Sequence, residues 1–232
     1  VMEQFGKGLV VEPYLPTVIL AGGLISKLGS EEQKNSIIPE IISGNIRCAF
    51  AYAEPQSRFD LNDVKTSAVL NGDDYVLNGF KSVVFGAGMA SHLIISARTE
   101  GEQRSDSGIT LFIVDTKSEG LTLQNYPTID EYRASEVIIE NLKVSKDNVL
   151  GKVNMAYDAI EEIVDISTIA ACSEAVGILQ VLKDSTTEYC KNRKQFGQSI
   201  AKNQVIQHRL VDMMIEYCLL YTSDAADDNA GV

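Results

Sequence analysis

The sequence predicts an α+β, multi-domain fold: a helical N-terminal part, a middle β-barrel or sandwich, and a helical C-terminal part. Three observations predict it. Residues 1–47 carry apolar positions at mixed three- and four-residue spacing. Residues 48–151 switch to period two, with Gly, Asn and Asp turns between short apolar runs. Residues 152–217 return to helical spacing with almost no breakers.

The N-terminal helices are expected over Met2–Val11 and Thr17–Leu28. Ser30-Glu31-Glu32-Gln33 is a capping-box pattern, the serine serving the Gln33 amide and the glutamine reaching back. The helix it opens carries Ile37, Ile38, Ile41 and Ile42 and ends at Gly44. Pro39 inside it predicts a kink or two pieces, because proline lacks the N–H and crowds the preceding turn.

In the middle region, Thr66–Leu70 and Tyr75–Leu77 flank Asn71-Gly72-Asp73-Asp74, a strong hairpin signal. Leu93–Ala97, Ile109–Val114, Leu121–Leu123 and Glu136–Ile139 are further strands. Many short strands joined by turns suggest a sandwich or small barrel. In the C-terminal region, Ala156–Tyr189 is one long helix. Its stripe of Ile160, Ile163, Val164, Ser167, Ala171 and Ala175 suits close helix packing. Arg193–Ser199 reads as a turn, and Lys202–Leu220 resumes helical spacing through Val205, Ile206, Leu210, Met213 and Met214.

Composition limits the function. The 232 residues are 45% hydrophobic and 22% charged, ordinary for a globular protein with a real core. A net charge of −12 argues against nucleic acid or an anionic membrane as the main partner, since both require a basic face. The four cysteines (Cys48, Cys172, Cys190, Cys218) are scattered and the only histidines are His92 and His208, so no zinc site is expected. Buried reduced thiols and a cytoplasmic setting fit this usage. No stretch reads as a signal peptide or a membrane span, and the chain reads as a fragment.

Arg193-Lys194-Gln195-Phe196-Gly197 places cations at a helix end beside an aromatic–glycine turn, with Gln204, Gln207 and His208 following. Guanidinium forks match phosphate oxygens in pairs, so a phosphate-bearing cofactor is one reading. A helix terminus whose cations offset the macrodipole is the other.

Further motifs join it: Ala49-Phe50-Ala51-Tyr52-Ala53-Glu54-Pro55 with Asp60 following, Asn78-Gly79-Phe80-Lys81, and Val83-Val84-Phe85-Gly86-Ala87-Gly88. In order, spacing and context these resemble the acyl-CoA dehydrogenase family over nearly the whole chain up to about Tyr217. The Glu54–Asp60 variant looks closest to the small-subunit type of pimeloyl-CoA dehydrogenase.

The resemblance implies an N-terminal helical domain (partial, 1–47), a middle β domain (48–151) and the first part of a C-terminal helical bundle (152–217, truncated). It implies FAD between the middle and C-terminal domains, and a homo- or heteromeric dimer or tetramer. The implied substrate is an acyl-CoA, and the implied electron acceptor is electron-transfer flavoprotein or a similar protein. A carboxylate would take the α-proton and flavin N5 the β-hydride.

By the same resemblance, Phe50, Tyr52, Ala53 and Phe59 run beside the flavin ring, with Ala53 standing where the family has a threonine. Val83, Val84 and Phe85 replace its Trp-Ile-Thr; ordinary strand packing is the competing reading of these three. Arg193, Lys194 and Gln195 fall on the FAD pyrophosphate grip, and Asn203 and Gln204 on the next cofactor contacts. Arg58 and Phe59 replace a Gly-Ser on the substrate side, where Arg58 is either a charge for a dicarboxylyl chain or an exposed loop cation. Asp165 and Thr168 align with an Asp-x-x-Arg motif. Ser167 holds no carboxylate where some members keep their base, so the base is expected beyond the C-terminus. Glu54 reads as loop structure and His208 as a packing histidine. A non-catalytic partner subunit is one alternative, and an oxidase or monooxygenase on the same fold another. Cys218-Leu219-Leu220-Tyr221-Thr222-Ser223-Asp224-Ala225-Ala226-Asp227-Asp228 resembles a translated transposase sequencing adapter, so 218–232 is expected to be a non-native tail.

Overall fold

The structure, a computed structural model, describes residues 1–227; the last five residues of the expected tail lie outside it. The chain forms two compact units. One comprises Val1–Glu12 with the chain from Thr168 on, the other residues 13–167.

The larger unit opens with a wide-wound segment. The helix expected over Thr17–Leu28 is a π-helix over Leu15–Gly22, continued by α2 (Gly23–Leu28). Thr17 Oγ1 there donates to the buried Cys48 carbonyl at 2.9 Å. α3 (Glu31–Ile42) begins with the predicted box: Gln33 N donates to Ser30 Oγ, and Ser30 N to Gln33 Oε1. It remains one helix through Pro39, and Gly44 follows at φ 79°.

Eight strands form one sheet: β1 (Cys48–Ala51), β2 (Ser67–Asn71), β3 (Asp74–Phe85), β4 (His92–Arg98), β5 (Ile109–Asp115), β6 (Leu121–Pro127), β7 (Arg133–Ser145) and β8 (Val149–Leu150). The order is β6-β7-β3-β2-β4-β5-β8, with β1 parallel to β4. The predicted hairpin is present: Asn71 pairs with Asp74 around Gly72-Asp73, and Gly72 takes φ 67°, which glycine adopts without steric cost.

Strict alternation sends the two sides of these strands to two cores. Ala49, Ala51, Leu93, Ile95, Phe112, Val114, Leu77 and Val137 enclose one cluster. The Tyr75 and Phe112 rings meet edge-on at 5.0 Å. Since β3 and β5 are not neighbours in the sheet, that contact shows the sheet folding over its own interior, as the barrel-or-sandwich expectation requires. Cys48, Phe50, Ile94, Leu111 and Ile113 face the other way. They pack with Leu20, Leu24 and Ile25 and with Ala159, Ile160 and Ile163 from the start of α4 (Tyr157–Asn192).

In the smaller unit, α1 (Met2–Gly8) crosses α4 at a pair of glycines. A Cβ on Gly177 would run into the Glu3 carbonyl, and one on Gly6 into the Glu174 carbonyl. α1 is shorter than the expected Met2–Val11 because Leu9 turns left-handed at φ 48°. The buried face of α4 there is Ala170, Val176 and Gly177, whereas Ala171, expected in the stripe, is exposed. The glycine approach sets that rotation, since α1 lies where a side chain is missing.

Arg193–Ser199, expected as a turn, is a short hairpin: β9 (Lys194–Gln195) pairs with β10 (Gln198–Ser199). α5 (Gln204–Asp227) follows a short 3-10 turn and continues through Tyr217. Lys183 Nζ lies 4.4 Å above the Tyr217 ring, tying α4 to α5. All four cysteines are free; Cys48 and Cys190 are buried, while Cys218 is exposed rather than buried as expected.

Candidate functional site

The predicted residues fall into two neighbourhoods, one in each unit. In the larger unit β1 delivers Phe50 into the core, its ring 4.9 Å from that of the half-buried Tyr52. Burial raises the Tyr52 phenol above its ordinary range. The chain then leaves the sheet, and Ala53 O accepts from Ser82 N at 2.9 Å. That bond joins two segments the sequence assigned to one site, Phe50–Ala53 and Val83–Phe85.

The second segment carries the least ordinary backbone of the unit. Between Lys81 and Val84 the β3–β7 register slips by one residue, and Val83 takes φ 52°. A β-branched residue in that region is a real outlier, here at a bulge. The extra residue turns Val83 and Phe85 outward, 44% and 50% exposed, and Val84 into the interior cluster. Val84 thus matches the competing strand-packing reading; only its backbone is available to a ligand.

Between β1 and β2 the loop is pinned by buried polar groups. Glu54 accepts from Lys81 Nζ (2.7 Å) and Thr66 N (3.1 Å) on Oε1, and from Lys65 N and Gln56 Nε2 (both 2.8 Å) on Oε2. Lys81 is 0% exposed and also donates to Ser96 Oγ (3.0 Å) and Tyr52 O (3.3 Å). Burial drives the Lys81 ammonium down to about 8, with Glu54 opposing the fall. Burial alone would raise Glu54; the Lys81 charge and the donated hydrogen bonds together hold it below the usual carboxylate range. Glu54 is thus loop structure, as its sequence position suggested.

Further along, Asp63 accepts from Gln56, Gln103 and Arg104. Arg98 donates to the carbonyls of Asn62, Gln103, Ser105 and Ser107. Between these anchors Arg58 sits exposed at φ 50° and Phe59 is 97% exposed. In the sequence Lys81 stands out only as the last residue of Asn78-Gly79-Phe80-Lys81. The available signal was parity: Tyr75, Leu77, Gly79 and Lys81 alternate on one side of β3, and Tyr75 and Leu77 face the core.

In the smaller unit, α4 ends where Arg193 N donates to Tyr189 O, and Ile200 N returns to Arg193 O. Phe196 and Gly197 form the hairpin tip at φ 51° and 79°, and the Phe196 ring is fully exposed. The side chains of Arg193, Lys194, Gln195, Asn203 and Gln204 are exposed and have no hydrogen-bond or ion-pair partner among the described residues. This donor set, two cations and three amides on one hairpin and the turn after it, fits a pyrophosphate. The helix-end reading accounts for the cations but not for the exposed amides. His208 is exposed, not the packed histidine expected. Asp165 and Thr168 are exposed one turn apart on α4. Among the described residues there is no metal-binding cluster, and no helix is long and apolar enough to cross a membrane.

Comparison with known proteins agrees with this arrangement. A family profile for the acyl-CoA dehydrogenase middle domain matches residues 49–142, and one for the acyl-CoA dehydrogenase C-terminal domain matches residues 157–223. The subunit of the caffeyl-CoA reductase–Etf complex of Acetobacterium woodii is 34% identical, covering 98% of this chain and 62% of the relative. The human mitochondrial short-chain specific acyl-CoA dehydrogenase is 32% identical, covering 92% and 53%. Butyryl-CoA dehydrogenase from Megasphaera elsdenii superposes with a TM-score of 0.87 at 27% identity, over 99% of this chain and 62% of that one. The chain thus spans roughly half to three-fifths of the relatives it matches. The β middle domain and the helical domain that follows it are the two segments these family profiles match. The chain belongs to the acyl-CoA dehydrogenase family, whose members depend on FAD.

Proposed function

We propose that the protein to which this chain belongs desaturates an acyl-CoA thioester between its α and β carbons. The observation that carries the reading is the unengaged set Arg193, Lys194, Gln195, Asn203 and Gln204, within a segment matched to the family's C-terminal domain. Arg193 and Lys194 pair with the FAD pyrophosphate, offered by a second subunit of a dimer or tetramer, and the amides orient it. Tyr52, the Ala53 backbone and the outward Phe85 ring line the flavin ring, while Val83 supplies an exposed apolar contact. Bound FAD supplies a hydride acceptor at N5. Thr168 and Asp165 lie on the substrate side. Ser167 carries no carboxylate, and the reading assigns the proton acceptor to sequence following this stretch.

Two finer assignments belong to the same reading. The exposed, left-handed Arg58 recognises the distal carboxylate of a dicarboxylyl-CoA; the Glu54–Asp60 loop that carries it resembles the small-subunit type of pimeloyl-CoA dehydrogenase. Electron-transfer flavoprotein exchanges electrons with the enzyme; similarity to a subunit of a caffeyl-CoA reductase–Etf complex supports that partner, and a cytoplasmic setting agrees with the free cysteines.

A non-catalytic subunit of a heteromeric enzyme is the second reading, favoured by Ala53, Phe59 and Thr168 standing where the family has polar contacts. Full-length protein decides between them. Isolated with bound flavin, it should bleach without oxygen on addition of an acyl-CoA and release the enoyl-CoA. Absence of bound flavin, or flavin that no acyl-CoA bleaches, overturns the first reading and selects the second. Arg58→Ala should weaken a dicarboxylyl-CoA more than a plain acyl-CoA of equal length; equal losses remove the dicarboxylate assignment.

A further inference from the structure

We infer that Lys81 is a positioning residue: with Glu54 it locks the Tyr52–Ala53 segment to the β3 bulge at Ser82–Val83, and that lock shapes the flavin-ring side of the site. The inference rests on the flavin reading above. Its geometric half stands without it.

Three consecutive residues of one segment are tied to two of the other. Tyr52 O accepts from Lys81 Nζ at 3.3 Å, Ala53 O from Ser82 N at 2.9 Å, and Glu54 Oε1 from Lys81 Nζ at 2.7 Å. The third acceptor of the ammonium, Ser96 Oγ at 3.0 Å, lies on β4, beside the β1 strand that delivers Tyr52. An ammonium has three donors, and all three are engaged. Both side chains are buried, Lys81 0% and Glu54 2% exposed.

A buried ion pair is a poor device for stability, because desolvating two charges offsets their attraction. Its best-attested role is to fix one arrangement among alternatives. The arrangement fixed here includes Val83 at φ 52°. Strained backbone of that kind persists only where its surroundings over-determine it. Glu54 is anchored from the other side by Lys65 N, Thr66 N and Gln56, so the pair is a rigid post rather than a flexible surface bridge. Arg98, the other charge felt by Lys81, is engaged with four carbonyls of its own loop. It cannot replace either member.

The test uses full-length protein with Glu54→Gln and the paired Lys81→Met/Glu54→Gln. The paired change removes both charges together and keeps the volume, so no lone buried charge is left. Hydrogen exchange on apoprotein reads the lock directly. The Ser82 amide should exchange at least about tenfold faster in both variants, while amides of the β4–β5 ladder keep their wild-type rates. FAD titration, followed by flavin fluorescence, reads the consequence: affinity should fall about tenfold or more and the visible flavin band should shift, with the thermal midpoint of the paired variant within a few degrees of wild type. Unchanged Ser82 exchange in Glu54→Gln overturns the lock, even if the paired variant fails to fold. Faster Ser82 exchange with unchanged FAD affinity and spectrum overturns the link to the flavin. Wild-type protein that takes up no FAD sinks the flavin reading itself, and the exchange result then still judges the lock.

Discussion

Gly177→Ala is the sharpest test of how the smaller unit is held together. A methyl there would lie 2.9 Å from the Glu3 carbonyl carbon, 3.0 Å from Lys7 N, and closer still to the Glu3 oxygen. Ordinary contact begins near 3.4 Å, and every atom met is backbone, so no rotamer change relieves it. α1 must retreat from α4 by on the order of 1 Å, which forfeits a quarter to a half of the dispersion at the crossing. Overpacking of this kind costs about 3 kcal/mol at the upper end, against about 1 kcal/mol gained in helix propensity. The net loss is about 2 kcal/mol. Met2 is the one large apolar side chain α1 buries, and that burial contributes about 1.5–3 kcal/mol, so the substitution nearly frees the helix. Hydrogen exchange should show the Phe5 and Leu9 amides losing roughly 30-fold in protection, together with a lower denaturant midpoint. Gly23→Ala is the control. Its methyl meets the end of the Ile163 side chain, which can swing aside, so less than about 1 kcal/mol should be lost. Wild-type protection of α1 in Gly177→Ala would refute the reasoning.

Three further outcomes follow from the same structure. Arg193→Ala should weaken FAD binding about 10- to 100-fold, the worth of a charge-assisted hydrogen bond, without moving the thermal midpoint, because the side chain is exposed; flavin titration beside a melting curve checks it. Glu54 has its pKa lowered by folding, so its contribution is present above the unfolded value of about 4.3 and is lost as pH falls through the lower folded value. Acid titration should show that loss in wild type and not in Glu54→Gln. Lys81 sits at about 8, below its unfolded value, so wild-type stability should gain on going from pH 8 towards 10, as the folded state sheds this proton before the unfolded one does.

The elements written in local chemistry were legible in the sequence. The Ser30–Gln33 box and the Asn71–Asp74 hairpin depend on neighbours in the chain, and both stand where expected. What escaped depends on distant partners. The π-winding of Leu15–Gly22 accompanies a bond from Thr17 to Cys48. The rotation of α4 answers to Gly6, far away in sequence. In the site, the exposure of Arg193, Lys194 and Gln195 follows from a hairpin that the sequence shows only as a turn. Lys81 was not legible: a lysine near a strand end reads as solvated until Glu54, 27 residues earlier, is known to lie beside it. The inward Val84 was hidden for a related reason. One bulge reverses the alternation that period-two reading assumes.

That bulge makes the middle domain a poor candidate for simple stabilisation. Replacing Val83 by glycine removes a strained φ and should raise the midpoint by the equivalent of about 1 kcal/mol. The same exchange deletes an outward side chain and frees the peptide beside Ala53. On the proposed function, a screen for robustness would select it and a screen for turnover would discard it. A branched residue at φ 52° would then set endurance against shape.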